Sequence, residues 1–174
     1  AFLPSVLRKR PLLLLTEDAT TMIAPIPEII LMRVTSGLYY DLISGGLDLL
    51  NDASERFEQY CADVIGAFIE RLTVRRAYPY EIRNGTPRID TPDLLISREE
   101  QIILVAECKA TKLTYLGQFA EDPFEAERKQ YLQIAKGVYQ LWRFFSHARR
   151  GIIQETVSPS ASGMVLTLDS FLVM

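Results

Sequence analysis

Two apolar runs that end in charged residues constrain this chain more than any other feature. Ile89 to Ile96 in RIDTPDLLIS and Ile102 to Ala106 in QIILVAECKA are β-branched or leucine-rich and flanked by polar breaks, the pattern of adjacent strands in a buried sheet. They predict a hairpin. With its turn centred on Arg98-Glu99, antiparallel pairing sets residues whose numbers sum to about 200 opposite each other, so Asp93 faces Glu107. Alternation along the strand puts Lys109 on the face of Glu107. The Cys108 side chain then points the other way, and that residue offers the Glu107 face only its backbone carbonyl.

Directly opposed side chains have Cβ atoms roughly 4.5–5.5 Å apart. Two carboxylates that close repel unless a cation lies between them, and an all-oxygen site suits Mg²⁺, with Mn²⁺ as a substitute, better than zinc. The plainer reading is a salt-bridged cluster at a sheet end. Against it, Glu107 and Lys109 end the run Ile102-Ile103-Leu104-Val105-Ala106 on a central strand, where unpaired charge is expensive.

Pro92-Asp93 followed by Glu107-x-Lys109 on the next strand resembles the signature of the PD-(D/E)xK nuclease superfamily. The resemblance covers residues 52–174 and implies a restriction-endonuclease-like α/β fold: a central mixed β-sheet flanked by helices, in the order α-β-β-β-α-β. It implies a metal-dependent nuclease that hydrolyses phosphodiester bonds, taken here as a DNA endonuclease. In such a site Asp93, Glu107 and the Cys108 carbonyl hold Mg²⁺, and Lys109 orients the attacking water.

The helix expected before the strands is Ser54 to Leu72, capped by Asp52 or Ser54, with Phe57, Cys61, Val64, Phe68 and Leu72 as its core stripe. At 100° per residue Glu58 falls beside Ile65 and Ile69, inside the apolar sector, and points toward the sheet. The resemblance implies that Glu58, following Phe57, joins the metal site; otherwise it is a flank glutamate reaching water. A polar connection, Thr111 to Glu121, leads to a long helix opened by Asp122-Pro123, a capping acid with proline at the first helical position. Tyr131, Ile134, Ala135, Val138, Trp142 and Phe145 form its expected stripe. Lys129, Gln133, Lys136, Gln140 and Arg143 share another face, read either as a solvated basic stripe or as a phosphate contact. The resemblance implies that a glutamine on this helix supports the site, Gln133 or Gln140. Arg71, Arg75 and Arg76 form a second basic cluster.

The last strand is expected over Gly163 to Met174, after a loop-like VSPSASG. Residues 1–51 read as an N-terminal extension or subdomain of uncertain shape. The apolar end and the Ala1 start suggest a domain of a longer protein, whose other parts, or a second copy in a homodimer, could join in substrate recognition.

At 174 residues and 48% hydrophobic the chain can bury a core without staples, and Cys61 and Cys108 read as reduced core residues. The absence of a signal-like segment makes the default location cytoplasmic, and the apolar stretches near the N-terminus are too short or interrupted to span a membrane. His147 reads as a helix C-terminal dipole partner. The net charge of −3 weighs against a strongly basic nucleic-acid surface, though the arginine and lysine clusters are local. A competing reading keeps the same framework without catalysis, as a module that docks nucleic acid or a partner protein within a larger assembly.

Overall fold

The computed structural model describes residues 6–8, 10–15, 20–35, 37–83, 87–114, 117 and 120–168. The chain divides into two compact units, residues 1–53 with 115–126, and residues 54–114 with 127–174. The first unit contains a 3₁₀ turn at Val6–Arg8, a two-stranded ribbon of β1 (Leu13–Leu14) and β2 (Met22–Ile23), and helices α1 (Pro27–Val34) and α2 (Leu38–Ser44). Pro27 sits where its missing N–H costs nothing, in the first turn of α1. Arg33 and Asp41 join α1 to α2 through two hydrogen bonds of 2.7 and 2.9 Å.

The second unit is mixed α/β. Its four-stranded sheet has the order β3 (Thr73–Arg76), β6 (Leu94–Arg98), β7 (Gln101–Lys109), β8 (Val157–Thr167). The first three strands are antiparallel to their neighbours, while β8 runs parallel to β7. A parallel neighbour requires a crossover, which α5 (Arg128–Arg149) supplies. A small ribbon pairs β4 (Pro79–Tyr80) with β5 (Ile89–Asp90). Leaving that ribbon aside, the elements follow as α3 (Leu47–Phe68), β3, β6, β7, α5 and β8.

Helices cover both faces of the sheet. On one, Leu95, Ile102 and Val105 pack against Leu141 and Phe144 of α5 and against Ile153. On the other, Leu94, Ile96, Ala106 and Cys108 pack with Cys61 of α3. Strand β6 is buried on both sides, so its alternate residues serve different cores. Each fully buried leucine or isoleucine contributes roughly 1.5–3 kcal/mol over an exposed one, and four of them fall on β6 and β7: Leu94, Leu95, Ile96 and Ile102, all at 0% exposure.

The expected hairpin exists, but its turn is Glu99-Glu100, one residue later than read, and both residues have positive φ, 48° and 66°. Two left-handed residues make a tight two-residue turn whose twist matches the strands, at a cost in strain for glutamate. The adjacent pairs, Arg98↔Gln101 and Ser97↔Ile102, are followed by Ile96↔Leu104 and Leu94↔Ala106, so Ile103 is an extra residue in a β-bulge. A one-residue shift flips every later side chain to the other face. Continuing the shifted register one step sets Asp93 opposite Glu107; without the bulge Asp93 would meet Ala106. The expected strand Ile89 to Ile96 is broken at Thr91-Pro92, because proline has no N–H to donate to the ladder.

Other boundaries also differ. Helix α3 begins at Leu47, before the expected caps Asp52 and Ser54, and Phe68 is 83% exposed while Ile65 takes its place against the sheet. Asp122 caps a separate short helix, α4 (Pro123–Ala126), by accepting the Glu125 N–H at 3.1 Å, and the long helix starts at Arg128. The buried positions of α5 are Gly137, Leu141, Phe144 and His147; Val138 and Trp142, placed in the stripe from sequence, are exposed. Strand β8 begins six residues before Gly163, so SPSAS is strand and not loop, and residues 169–174 of the expected strand lie outside the described residues. His147 is no surface dipole partner: it is buried, its Nδ1 lies 2.8 Å from the Tyr80 hydroxyl, and burial lowers its proton affinity. Among the described residues, no helix is long and apolar enough to cross a membrane.

Candidate active site

Asp93 stands just before β6, behind buried Pro92. Its backbone carbonyl accepts the Ala77 N–H at 2.9 Å, which fixes the entry to the strand. Its Oδ2 accepts the Cys108 N–H at 2.7 Å. Burial is the larger force on this carboxyl and the negative charge of Glu107 the next; together they outweigh the Cys108 N–H, Lys109 and Arg76, and its pKa is pushed up to about 6.

Glu107 is 1% exposed. Its Oε1 accepts Lys109 Nζ at 2.6 Å, while Oε2 is buried with no hydrogen-bond partner among the described residues. Such an atom costs free energy unless something unseen satisfies it. Lys109 Nζ also donates to Gln140 Oε1 on α5 at 3.2 Å. Of the two candidate glutamines, Gln140 is therefore the one at the site, and Gln133 is exposed.

Sequence reasoning missed Gly137. A Cβ built there would lie 3.3 Å from Glu107 Cγ and 3.4 Å from Lys109 Cε, so the bare backbone lets α5 lie against the ion pair. The available signal was a glycine inside a helix, one turn before Gln140, where it costs roughly 1 kcal/mol relative to alanine.

Glu58 is held by Arg76, Nη2 to Oε2 at 2.6 Å, and Gln59 accepts from the same guanidinium at 3.3 Å. Burial and then the charge of Asp93 raise its pKa, so it lies within electrostatic reach of the site even though its partner is Arg76. The expected basic cluster is thus largely spent internally, since Arg75 pairs with Glu155 at 3.1 Å. The Cys108 thiol packs with Cys61 on the opposite face, both cysteines are free, and burial raises both thiol pKa values.

Asp93, Glu107, Lys109 and Gln140 therefore meet at the end of β6 and β7, with Glu58 and Arg76 beside them. Among the described residues, no three His, Cys, Asp or Glu side chains converge closely enough to hold a metal ion as they stand. The reason is visible in the pairing: Arg76 holds Glu58, and Lys109 occupies one oxygen of Glu107. Comparisons with family models, curated proteins and solved structures find no match to this chain.

Proposed function

We propose that the second unit is a restriction-endonuclease-like nuclease core that hydrolyses phosphodiester bonds in DNA, acting in the cytoplasm with a divalent cation. The observation that carries this reading is the pairing of a carboxyl whose pKa is raised by burial and by its acidic neighbour with a buried carboxylate whose Oε2 lacks a partner among the described residues. Both features are relieved by a cation shared between Asp93 and Glu107. The order of elements and the antiparallel hairpin joined to a parallel fourth strand fit the same architecture.

Asp93, Glu107 through Oε2 and the Cys108 carbonyl are the residues that would hold Mg²⁺ or Mn²⁺, with Glu58 holding a second ion or a water of the first. A cation bound there supplies Lewis-acid polarisation of a phosphoryl oxygen and a bound water of lowered pKa. Lys109 orients the attacking water and offsets charge growing on the phosphoryl oxygens. Gln140 keeps the ammonium in place, since its Oε1 accepts from Nζ at 3.2 Å. Asp93 serves only as the carboxylate, so it must lose its proton first.

The second reading, a non-catalytic docking module, is favoured by the Glu58–Arg76 pair, which needs no metal. Incubation of supercoiled plasmid with the protein in Mg²⁺ or Mn²⁺, beside Asp93→Ala, separates the two. Metal-dependent nicking by wild type alone supports the nuclease; no nicking of any DNA or RNA with either ion assigns the fold to docking.

A further inference from the structure

Helix α5 carries five lysines and arginines over Arg128–Arg149 and no acid, in a chain whose net charge is −3. Its outer side also exposes two aromatic residues one turn apart, Tyr139 at 57% and Trp142 at 61%. Their rings lie 6.2 Å apart and 30° from parallel. Bulky rings left in water beside cations are what a stacking platform for unpaired bases requires.

The order of residues around the helix links this surface to the site. At 100° per residue, Gln140, which touches Lys109, is followed by the row Lys129, Lys136 and Arg143, and then by Tyr139 and Trp142. A strand with a phosphate at Lys109 that leaves across α5 meets cations first and ring faces next. Arg143 is partly committed, donating to the Asp90 carbonyl at 3.2 Å, so Lys129 and Lys136, both exposed, are the freer phosphate partners.

We infer that Tyr139 and Trp142 stack the bases of a single-stranded nucleic acid whose backbone runs along Lys129 and Lys136 toward the Asp93–Glu107 site. As a statement about substrate, this rests on the nuclease reading. Duplex bases are already stacked on one another and present no face to a convex helix, so the platform selects an unpaired or frayed strand.

Trp142 is the only tryptophan in the chain, so its fluorescence reports contact directly. In EDTA, where no cleavage occurs, an oligothymidylate should quench it saturably, with affinity falling as salt rises. Tyr139→Ala should weaken that binding about tenfold, Lys136→Ala should reduce the salt dependence, and a blunt hairpin duplex should bind wild type and Tyr139→Ala alike. Both side chains are exposed, so unchanged circular dichroism and melting should accompany these effects. Absence of quenching, or equal oligothymidylate affinity for wild type and Tyr139→Ala, overturns the inference. So does a concentration-dependent dimer in sedimentation that Trp142→Ala abolishes, which assigns the face to a second copy. Plasmid nicking with Mg²⁺ but no oligothymidylate binding leaves the nuclease standing and removes the platform; binding without cleavage by any metal does the reverse.

Discussion

The carboxylate of Asp93 accepts the backbone N–H of Cys108 at 2.7 Å, one residue beyond the Glu107 it opposes. A main-chain donor on the central strand thus positions the aspartate and leaves its second oxygen, and the second oxygen of Glu107, for something else. Against the pull of that N–H, burial and then the charge of Glu107 push the Asp93 pKa up to about 6, above its ordinary range.

That shift has a sign. A carboxyl whose folded pKa lies above its unfolded value binds its proton more tightly in the folded protein, so stability falls as pH rises from about 4 to about 6 and stays reduced above. Asp93→Asn keeps an acceptor for Cys108 and removes the titration. Without divalent ions, urea unfolding of wild type should weaken across this window more than that of Asp93→Asn, and the variant should be the more stable at pH 7.5. Parallel curves for the two proteins would remove the basis for a strained acid pair. Cleavage by wild type should rise through about pH 6 as Asp93 gives up its proton.

Lys109 behaves differently from what its position in the motif suggests. Read from sequence alone, Lys109→Ala should abolish cleavage and leave stability intact; the structure makes it the partner of a carboxylate that is 1% exposed. Removing one member of a buried pair leaves an uncompensated charge and costs about 3–5 kcal/mol. Lys109→Ala should therefore lose both cleavage and stability. The double variant Glu107→Gln/Lys109→Met, with no buried charge, should recover most of the stability and none of the activity. Thermal melting of the three proteins with a plasmid assay checks this; a single variant as stable as wild type counts against a dry ion pair.

The core strands were legible because their residues state their environment twice: Leu94 to Ile96 and Ile102 to Ala106 are apolar at successive positions, which only a sheet covered on both faces tolerates. The facing of Asp93 and Glu107 did not follow from the turn as read, since a turn centred on Arg98-Glu99 pairs residues whose numbers sum to 197 and sets Asp93 opposite Leu104. The turn lies at Glu99-Glu100 and the bulge at Ile103 restores the register, and nothing in an unbroken apolar run marks which residue bulges. Strand β3 went unread because Thr73–Arg76 has only Val74 as an apolar member and looks like a basic helix end. In α5, Val138 and Trp142 fit a 3.6-residue period as well as Leu141 and Phe144 do, so hydrophobicity alone could not choose the buried side. The buried side carries Gly137, where a Cβ would meet Glu107 Cγ at 3.3 Å.

Arg76 competes with any cation for Glu58. Their pair is half exposed and worth little to stability, at most about 1 kcal/mol. Arg76→Ala should therefore unfold nearly as wild type does, yet release a third carboxylate beside Asp93 and remove a nearby positive charge. Calorimetric titration with Mn²⁺ should give tighter binding in Arg76→Ala and weaker binding in Glu58→Gln. Equal affinities in all three proteins would leave Glu58 a structural partner of the arginine and nothing more.

Gly137 offers the closest test of whether the ion pair is built for packing or for chemistry. Alanine is better than glycine inside a helix by about 1 kcal/mol. Its Cβ, however, would press on Glu107 Cγ at 3.3 Å and on Lys109 Cε and Val165 Cγ1 at 3.4 Å. The lysine and valine contacts are close to ordinary van der Waals distance, and the tight one, to the side-chain stem of Glu107, is relieved by a shift of a few tenths of an ångström, so the two effects should nearly cancel. Gly137→Ala should melt close to wild type while moving the two side chains that meet the water and the phosphate, and misplacement on that scale lowers cleavage steeply. Gly137→Leu, which no small shift accommodates, should cost about 1–3 kcal/mol by overpacking. The informative case is alanine: a protein as stable as wild type but at least about tenfold slower on plasmid supports a site whose geometry α5 sets, whereas full activity would make the glycine a packing residue only.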